Sequence, residues 1–409
     1  MENNIKRTEE LLAALSSIGT DAQGGLTRLL FDDHWKLAQE TLKARFEKAG
    51  LDTAYDTAGN LIGTVAGSEN PEETVMTGSH IDTVRNGGTL DGQYGILAGF
   101  LAVQRLLEKH GTPKRTLSVV SFAEEEGSRF PFAFWGSKNL VSSVDRDLLK
   151  DVVDKDGISF AEAMTDAGFD FSAAPDAPHT GIVAFVEAHI EQGAVLEHLG
   201  KQIGVVTAIA GQKRYNVSLR GEANHAGTTP MPLRRDALEG AALCISTLLS
   251  EAKQLGDPLV LTFGKLEPKP NIVNVVPGEV NFTVDTRHTD ALALDSFARY
   301  VENTIRSIAD ELNLSVEIDN WMDESPVPMN QRLIELLSDV CSEQGIDYHV
   351  MHSGAGHDSQ ILAPKVPTTM LFVPSIKGIS HNPAEDSKME DLVAGIDVLE
   401  TALYKLAYS

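Results

Sequence analysis

The chain has 409 residues, more than one ordinary hydrophobic core accommodates, which predicts two domains of about 100 to 250 residues each. Apolar residues make up 42% of it, enough for a globular fold. Its 34 basic and 59 acidic residues give a formal net charge of −25, which would repel nucleic acid and anionic membranes and excludes both as expected partners. If the substrate is an anion, metal ions or a placed arginine must overcome this field locally.

Neither the N-terminal segment nor the cysteines indicate export. The opening MENNIKRTEELLAAL lacks the basic and apolar regions of a secretory signal, and no run approaches the roughly 18 apolar residues of a membrane span. Cys244 and Cys341 both lie in helical patterns, which favours buried free thiols over a disulfide. We therefore expect a cytoplasmic protein.

The first half of the chain has the pattern of an α/β layer. Strand, helix and strand follow one another, and the helix between the strands is apolar nearly all round, as if buried against a sheet. The predicted elements are a helical segment in residues 25–50, a hairpin in 51–67 that turns at 58–60, a strand at 74–78, a helix at 95–107 and a strand at 117–122.

The pattern changes near residue 209. The predicted elements there are a strand at 208–223, a helix at 235–255, strands at 259–268 and 275–288, a helix at 290–312 and a strand at 314–321. This βαββαβ order predicts a four-stranded antiparallel sheet with two helices on one face. After Pro326 the α/β pattern resumes, with a helix at 329–345, strands at 348–351 and 368–373, and a helix at 389–408. We therefore predict a discontinuous domain, 1–208 with 326–409, and an inserted domain, 209–325.

Five short stretches hold potential metal ligands. Each places a His or a carboxylate where an apolar run gives way to Gly, Ser or Asn, as at strand ends that line clefts. They are SHIDT at 79–83, LDGQYG at 90–95, AEEEGSR at 123–129, EAHIEQG at 187–193 and SHNPAE at 380–385. His, Asp and Glu suit borderline or hard divalent ions, and two ions of Mn, Zn, Co or Ni fit this inventory.

Three of these stretches carry specific expectations, each with an alternative. His80 and Asp82 share a face of an extended segment, so Asp82 could fix the imidazole tautomer; an ordinary polar turn is the alternative. Asp91 precedes a glycine, which permits the backbone geometry of a bridging carboxylate, and a helix N-cap is the alternative. The adjacent carboxylates of residues 124–126 repel one another unless cations neutralise them, but a solvated acidic loop would also explain them.

These stretches occur in order with GEANHAGTTPMPLRRDA at 221–237, the segment 268–290 and HSGAGHD at 352–358. Over almost the whole chain this set resembles the hydantoinase/carbamoylase branch of the M20 metallopeptidase-like superfamily, which also contains metal-dependent aminoacylases and carboxypeptidases. The resemblance implies a peptidase-like α/β catalytic domain with an inserted α+β, ferredoxin-like lid that also mediates dimerisation.

The resemblance also implies roles for individual residues. One metal ion would bind His80, Asp91 and His189, and the other would bind Asp91, Glu126 and His381, with Asp91 bridging. Glu125 would be the general base, although a one-residue slip in the triplet would exchange these roles. His225 would complete the active site of the other subunit of a homodimer. The substrate-binding residues would be Gln212, Asn274, Arg287 and Gly356, and His357 would be structural.

The implied activity is hydrolysis of a linear amidine or ureido C–N bond in a small anionic substrate, with two divalent ions, Mn²⁺ first. Allantoate, converted to ureidoglycine, ammonia and carbon dioxide in purine and allantoin catabolism, is the leading expectation. N-carbamoyl-L-amino acids and β-ureidopropionate are the alternatives within this chemistry. A non-catalytic metal- or ligand-binding protein is an alternative of another class.

Overall fold

The computed structural model describes residues 2–141, 144–173, 176 and 179–409. It divides into two compact units by its internal contacts: unit 1 contains the chain up to Thr207 and Met329–Ser409, and unit 2 is Ala208–Pro328. Both combine helices with strands, so the mixed α/β class predicted from the sequence is confirmed. Within the described ranges, no helix has the length and apolar character needed to cross a bilayer.

The elements follow one another along the chain with these bounds. The helices are α1 (Glu2–Ser16), α2 (Asp33–Lys48), α3 (Gln93–His110), α4 (Trp135–Val141), α5 (Phe160–Asp166), α6 (Val195–Leu199), α7 (Ala237–Leu255), α8 (Ala291–Glu311), α9 (Gln331–Gln344), α10 (Asp358–Leu362) and α11 (Met389–Ala407). The strands are β1 (Asp52–Tyr55), β2 (Leu61–Val65), β3 (Asn70–His80), β4 (Arg115–Phe122), β5 (Ile182–Ile190), β6 (Ile203–Ile209), β7 (Gly211–Arg220), β8 (Asn224–His225), β9 (Val260–Thr262), β10 (Leu266–Lys269), β11 (Val275–Val276), β12 (Glu279–His288), β13 (Ser315–Glu324), β14 (Val327–Pro328), β15 (Tyr348–Ser353) and β16 (Thr368–Val373).

Unit 1 is built on a mixed sheet with the strand order β1-β2-β4-β3-β5-β16-β6, and β15 also pairs with β6. The neighbours β4, β3, β5 and β16 run parallel. Nearly all residues of β4, β5 and β16 are buried, as expected for parallel strands covered on both faces. The apolar helix α3 packs against β3 and α11. This packing holds the end of β3 and the start of α3, where candidate ligands lie, in fixed positions.

The helix predicted in residues 25–50 is shorter in the structure and begins at Asp33. The Asp32 side chain accepts a hydrogen bond of 2.7 Å from the Trp35 N–H and caps the helix. Phe31 has φ 63°, a left-handed conformation that a continuing helix does not allow. Leu26 instead makes a β-bridge with Gly87, beside the segment that carries the candidate ligands.

Unit 2 is an antiparallel sheet with the order β10-β12-β7-β13, over which α7 and α8 pack around a core that includes Tyr215, Phe282 and Val301. The single strand predicted at 259–268 is wrong, because the structure divides it into β9 and β10. Both pair with the same edge of β12, whose other edge is occupied by β7. Three residues, 263–265, face two residues of β12, and this mismatch breaks the edge strand at Gly264.

Both cysteines are buried free thiols, as predicted from their helical patterns. Cys244 lies on α7 and Cys341 on α9, and neither side chain is exposed. Burial raises the pKa of each thiol to about 12, so both remain protonated and unreactive at neutral pH.

Candidate metal centre and active site

The carboxylate of Asp91 lies at the centre of a group of imidazoles in unit 1. Its Oδ1 is 3.5 Å from Nε2 of His80 and 3.3 Å from Nε2 of His189, whereas its Oδ2 is 3.2 Å from Nε2 of His381. The same His381 nitrogen is 3.4 Å from Oε1 of Glu126. Two possible cation groups therefore share Asp91, and the ligand atoms within each lie within 4.8 Å of one another. Each oxygen of Asp91 faces one group, which is the arrangement that a bridging carboxylate requires.

The fold brings these residues together because the parallel strands end at the same edge of the sheet. His80 ends β3, His189 is the penultimate residue of β5, and Glu126 follows the end of β4. Asp91 precedes Gly92, the N-cap of α3, which has φ 64°. A Cβ at Gly92 would overlap the His80 ring, so glycine is needed for Asp91 to approach this imidazole.

Asp82 connects the imidazole of His80 to the acidic triplet. Its Oδ1 lies 3.2 Å from Nδ1 of His80 and accepts the Glu125 N–H at 3.0 Å, and its Oδ2 accepts the Glu126 N–H at 3.2 Å. When Nδ1–H donates to Asp82, Nε2 of a neutral His80 ring carries the lone pair and is the atom that can bind a cation. Nδ1 of His189 similarly lies 2.9 Å from its neighbour's carbonyl oxygen, so both rings can present Nε2 as a ligand atom.

The three glutamates after β4 have different surroundings, and the alternative of a solvated acidic loop is wrong. Glu124 is buried, and its carboxylate accepts the N–H groups of Gly127 and Trp135, which makes it a structural brace. Glu125 is also buried, and its carboxylate has no hydrogen-bond partner among the described residues. Oε1 of Glu126 is buried without a hydrogen-bond partner although it faces His381. A buried carboxylate oxygen without a hydrogen-bond partner, beside an imidazole and a second carboxylate, fits a divalent cation.

The titration behaviour of these groups reflects their crowding. Burial and the charge of Asp91 raise the pKa of Glu126 to about 7. Burial alone would raise the pKa of Asp91, but hydrogen bonds from three imidazoles hold it well below its ordinary value. The hydrogen bond to Asp91 raises the pKa of His381 to about 9. In the absence of a cation, protons on the imidazoles thus provide the positive charge that the carboxylates require.

Three residues that the sequence analysis did not single out also contact Asp91. The Gln192 amide donates to Oδ2 at 2.7 Å, the Ser380 hydroxyl lies 3.0 Å from the same oxygen, and Glu385 accepts the Asp91 N–H at 3.1 Å. All three lie in the quoted stretches EAHIEQG and SHNPAE, which was the available signal. Their orientation was not predictable because Gln192 and His381 adopt left-handed backbone angles, φ 56° and 53°.

A third buried group, Glu187, His189 and His357, shares His189 with the first, and its other two side chains have hydrogen-bond partners within the protein. Glu187 accepts the hydroxyl groups of Ser79 at 2.7 Å and Ser359 at 2.6 Å. His357 lies 2.9 Å from the Ser353 hydroxyl, and burial lowers its pKa well below the ordinary value. These contacts give His357 the surroundings of a structural residue.

Four of the predicted site residues belong to unit 2, where they form two neighbouring pairs. Gln212 on β7 is the cross-strand partner of Arg287 on β12, and the Arg287 guanidinium makes two contacts of 3.0 Å with Asp285. His225 on β8 is exposed. The N–H of the next residue, Ala226, donates a hydrogen bond of 3.0 Å to the carbonyl oxygen of Asn274. The remaining predicted residue, Gly356, lies in unit 1, where a Cβ would be 3.0 Å from the Gln360 side chain.

An α/β unit whose strand ends carry two carboxylate and imidazole groups around a shared Asp has the ligands for two divalent cations. The comparisons identify a hydrolase that acts on C–N bonds. Residues 76–405 match Peptidase family M20/M25/M40, and the chain belongs to this family. It is 53% identical to the allantoate amidohydrolase of Escherichia coli (strain K12) over 98% of this chain and 97% of that protein. It is 44% identical to the allantoate amidohydrolase of Bacillus subtilis (strain 168), with 96% of each chain covered.

Among solved structures, an amidase of the hydantoinase/carbamoylase family from Burkholderia multivorans is similar with a TM-score of 0.94 and 34% identity. The similarity covers 99% of this chain and 98% of that chain. The predicted family and the predicted peptidase-like α/β fold are therefore confirmed.

Proposed function

We propose that this enzyme hydrolyses allantoate to ureidoglycine, ammonia and carbon dioxide in the recovery of purine nitrogen. The chemistry rests mainly on one observation, the two oxygens of Asp91 that face separate imidazole groups. The choice of substrate is supported by the similarity, over nearly the whole chain, to two proteins named allantoate amidohydrolase. We also propose that the enzyme acts in the cytoplasm.

The donor set suits two divalent cations, for which we propose Mn²⁺ first and Zn²⁺, Co²⁺ or Ni²⁺ as alternatives. His80, Asp91 and His189 would hold one ion, and Asp91, Glu126 and His381 the other. When bound, such ions lower the pKa of water and stabilise negative charge on a carbonyl oxygen. Asp82 would keep the His80 ring in the tautomer that exposes Nε2.

Glu125 is the proposed general base and then general acid. Its main chain is fixed by the Asp82 carboxylate, and its own carboxylate remains available because no described residue hydrogen-bonds it. It would take a proton from the attacking water and return it to the nitrogen that leaves as the ureido C–N bond breaks. Burial raises the pKa of Glu125 well above its ordinary value, which makes it a stronger proton acceptor than a solvated glutamate.

Residues of unit 2 are the proposed source of substrate specificity. Arg287 would bind the carboxylate of allantoate, and the double contact with Asp285 orients its guanidinium plane. Gln212, Asn274 and Gly356 would contribute hydrogen bonds to the substrate. His225, an exposed imidazole on a two-residue strand, would stabilise the tetrahedral oxyanion in the active site of the partner subunit of a homodimer.

A substrate panel with added Mn²⁺ tests this proposal. Allantoate, several N-carbamoyl-L-amino acids, β-ureidopropionate and a dipeptide would be compared by kcat/KM, with the Glu125→Gln variant as the background. We expect allantoate to be preferred by about 100-fold or more, since a site that pairs buried polar groups with one substrate discriminates strongly against analogues that lack them. Preference for an N-carbamoyl-L-amino acid would transfer the assignment to that activity, and cleavage of the dipeptide alone would reject both.

A further inference from the structure

A carboxylate outside both cation groups holds the main chain on either side of Asp91. Glu385 is only 6% exposed. One of its oxygens, Oε1, accepts the N–H of Leu90 at 2.9 Å and that of Asp91 at 3.1 Å. A side chain 294 residues further along the sequence therefore anchors the backbone of the shared carboxylate.

The other oxygen of Glu385 connects this anchor to the loop that carries His381. Its Oε2 accepts the Ser380 hydroxyl at 2.8 Å, and the same hydroxyl lies 3.0 Å from Oδ2 of Asp91. A serine hydroxyl has one proton and can donate it to only one of these carboxylates at a time. With Glu385 present, Ser380 can release Oδ2 of Asp91 and still keep a hydrogen bond.

The Glu385 carboxylate packs directly against the main chain of Gly88. A Cβ at Gly88 would overlap this carboxylate. Burying one carboxylate beside another is unfavourable unless hydrogen bonds compensate for the lost hydration, and three donors converge on Glu385.

From these contacts we infer that Glu385 is a positioning residue that fixes Asp91 relative to His381, and so sets the geometry of the group Asp91, Glu126 and His381. The other group depends less on it, because β3 and β5 carry His80 and His189, and Asp82 orients His80. This inference rests on the proposed function, in which both groups hold a divalent cation.

The test measures Mn²⁺ binding to the full chain by calorimetric titration, after a chelator has removed any bound metal. We expect two sites in the unaltered protein. Glu385→Ala should lower the Mn²⁺ affinity of one site at least tenfold and leave that of the other site within threefold of the unaltered value. Gly88→Ala, which displaces the carboxylate without removing it, should have the same selective effect. Glu385→Gln should restore most of the affinity, because its amide oxygen can still accept the two N–H groups.

Asp32→Ala is the control for a general loss of stability. The Asp32 carboxylate also accepts two main-chain N–H groups, those of Leu29 and Trp35, but Asp32 belongs to neither cation group. The Asp32→Ala variant should have a lower Tm and an unchanged Mn²⁺ affinity at both sites. If Glu385→Ala left the affinity of both sites unchanged, or lowered both equally, this inference would be overturned but the proposed function would not. An unaltered protein that binds no divalent ion would instead reject the proposed function, and the inference with it.

Discussion

Gly92 packs so closely against His80 that a Cβ at position 92 would overlap the imidazole ring. We expect Gly92→Ala to displace His80 from Asp91 and to lower Mn²⁺ affinity at least tenfold. Gly111, at the opposite end of α3, is the matched control, because its φ of 71° is also positive but a Cβ there meets only open space. Gly111→Ala should also place a side chain at positive φ, a strain of about 1 to 3 kcal/mol, without affecting metal binding. Equal metal affinities in the two variants would show that the overlap has no consequence.

The triplet Glu124 to Glu126 predicts three different phenotypes. Glu125→Gln should retain both ions and lower kcat by about 10² to 10⁴-fold, the usual contribution of a general base. Glu126→Gln should lose Mn²⁺ affinity, since its Oε1 faces His381. Glu124→Gln should chiefly lower Tm, because its carboxylate holds the Trp135 N–H. Parallel measurement of kcat, metal content and Tm distinguishes these roles, and a fully active Glu125→Gln would support the one-residue slip in the assignment.

Arg287 and Arg214 share the carboxylate of Asp285, which provides an internal comparison for the proposed substrate clamp. Arg287→Lys should raise KM for allantoate by about tenfold or more with a smaller change in kcat, because lysine cannot make the planar double contact with a carboxylate. Arg214→Lys removes a guanidinium from the same ion pair and should leave KM unchanged. Steady-state kinetics on both variants is the measurement, and equal KM values would remove Arg287 from the clamp.

Subunit mixing tests whether His225 acts in the partner's active site. His225→Ala and Glu125→Ala should each be inactive. A mixed dimer would contain one intact site, so a random 1:1 mixture should recover about one quarter of the unaltered activity. A mixture of His225→Ala with the double variant lacking both side chains should recover nothing. Absence of rescue in heterodimers demonstrated by differently tagged subunits would contradict a shared site.

The stability of the metal-free protein should fall as the pH rises from 4.5, the ordinary pKa of a glutamate, to 9. Burial and Asp91 raise the pKa of Glu126 to about 7, and the hydrogen bond to Asp91 raises that of His381 to about 9. A group whose pKa is raised by folding stabilises the protein below its unfolded pKa, and this contribution is lost as the pH passes through the folded value. Calorimetric Tm values across this interval should decline without metal and decline less with Mn²⁺. A Tm that stays level or rises in the metal-free protein would contradict this.

Patterns of apolar spacing were sufficient to predict the elements that build the core. The helix expected at 95–107 is part of α3, and the strand expected at 117–122 is part of β4, because burial on both faces leaves a continuous apolar run. Apolar periodicity did not show the start of α2, since a left-handed Phe31 has no signature in it, and the available signal was the capping residue Asp32. The break between β9 and β10 is likewise set by pairing with β12, a contact distant in sequence.

The candidate ligands could be predicted from the sequence because they lie at strand ends. The separate role of each one could not be predicted. Glu124, Glu125 and Glu126 are chemically identical, and only the fold determines which carboxylate meets main-chain N–H groups and which remains without a partner. The contribution of Glu385 depends on two loops that are adjacent only in the folded protein. The spacing of the motifs therefore indicates the chemistry of the site, whereas the hydrogen-bond partners of each side chain in the folded protein indicate its individual role.

The position of β16 has a consequence for synthesis on the ribosome. It lies between β5 and β6 in the sheet, yet it follows them in the chain by more than the whole of unit 2. Unit 2 is continuous and can fold as soon as it emerges, whereas unit 1 must keep a gap in its sheet until Thr368–Val373 has been translated. His381 arrives later still, so an incomplete nascent chain already contains His80, Asp91 and His189 but lacks one ligand of the second cation group.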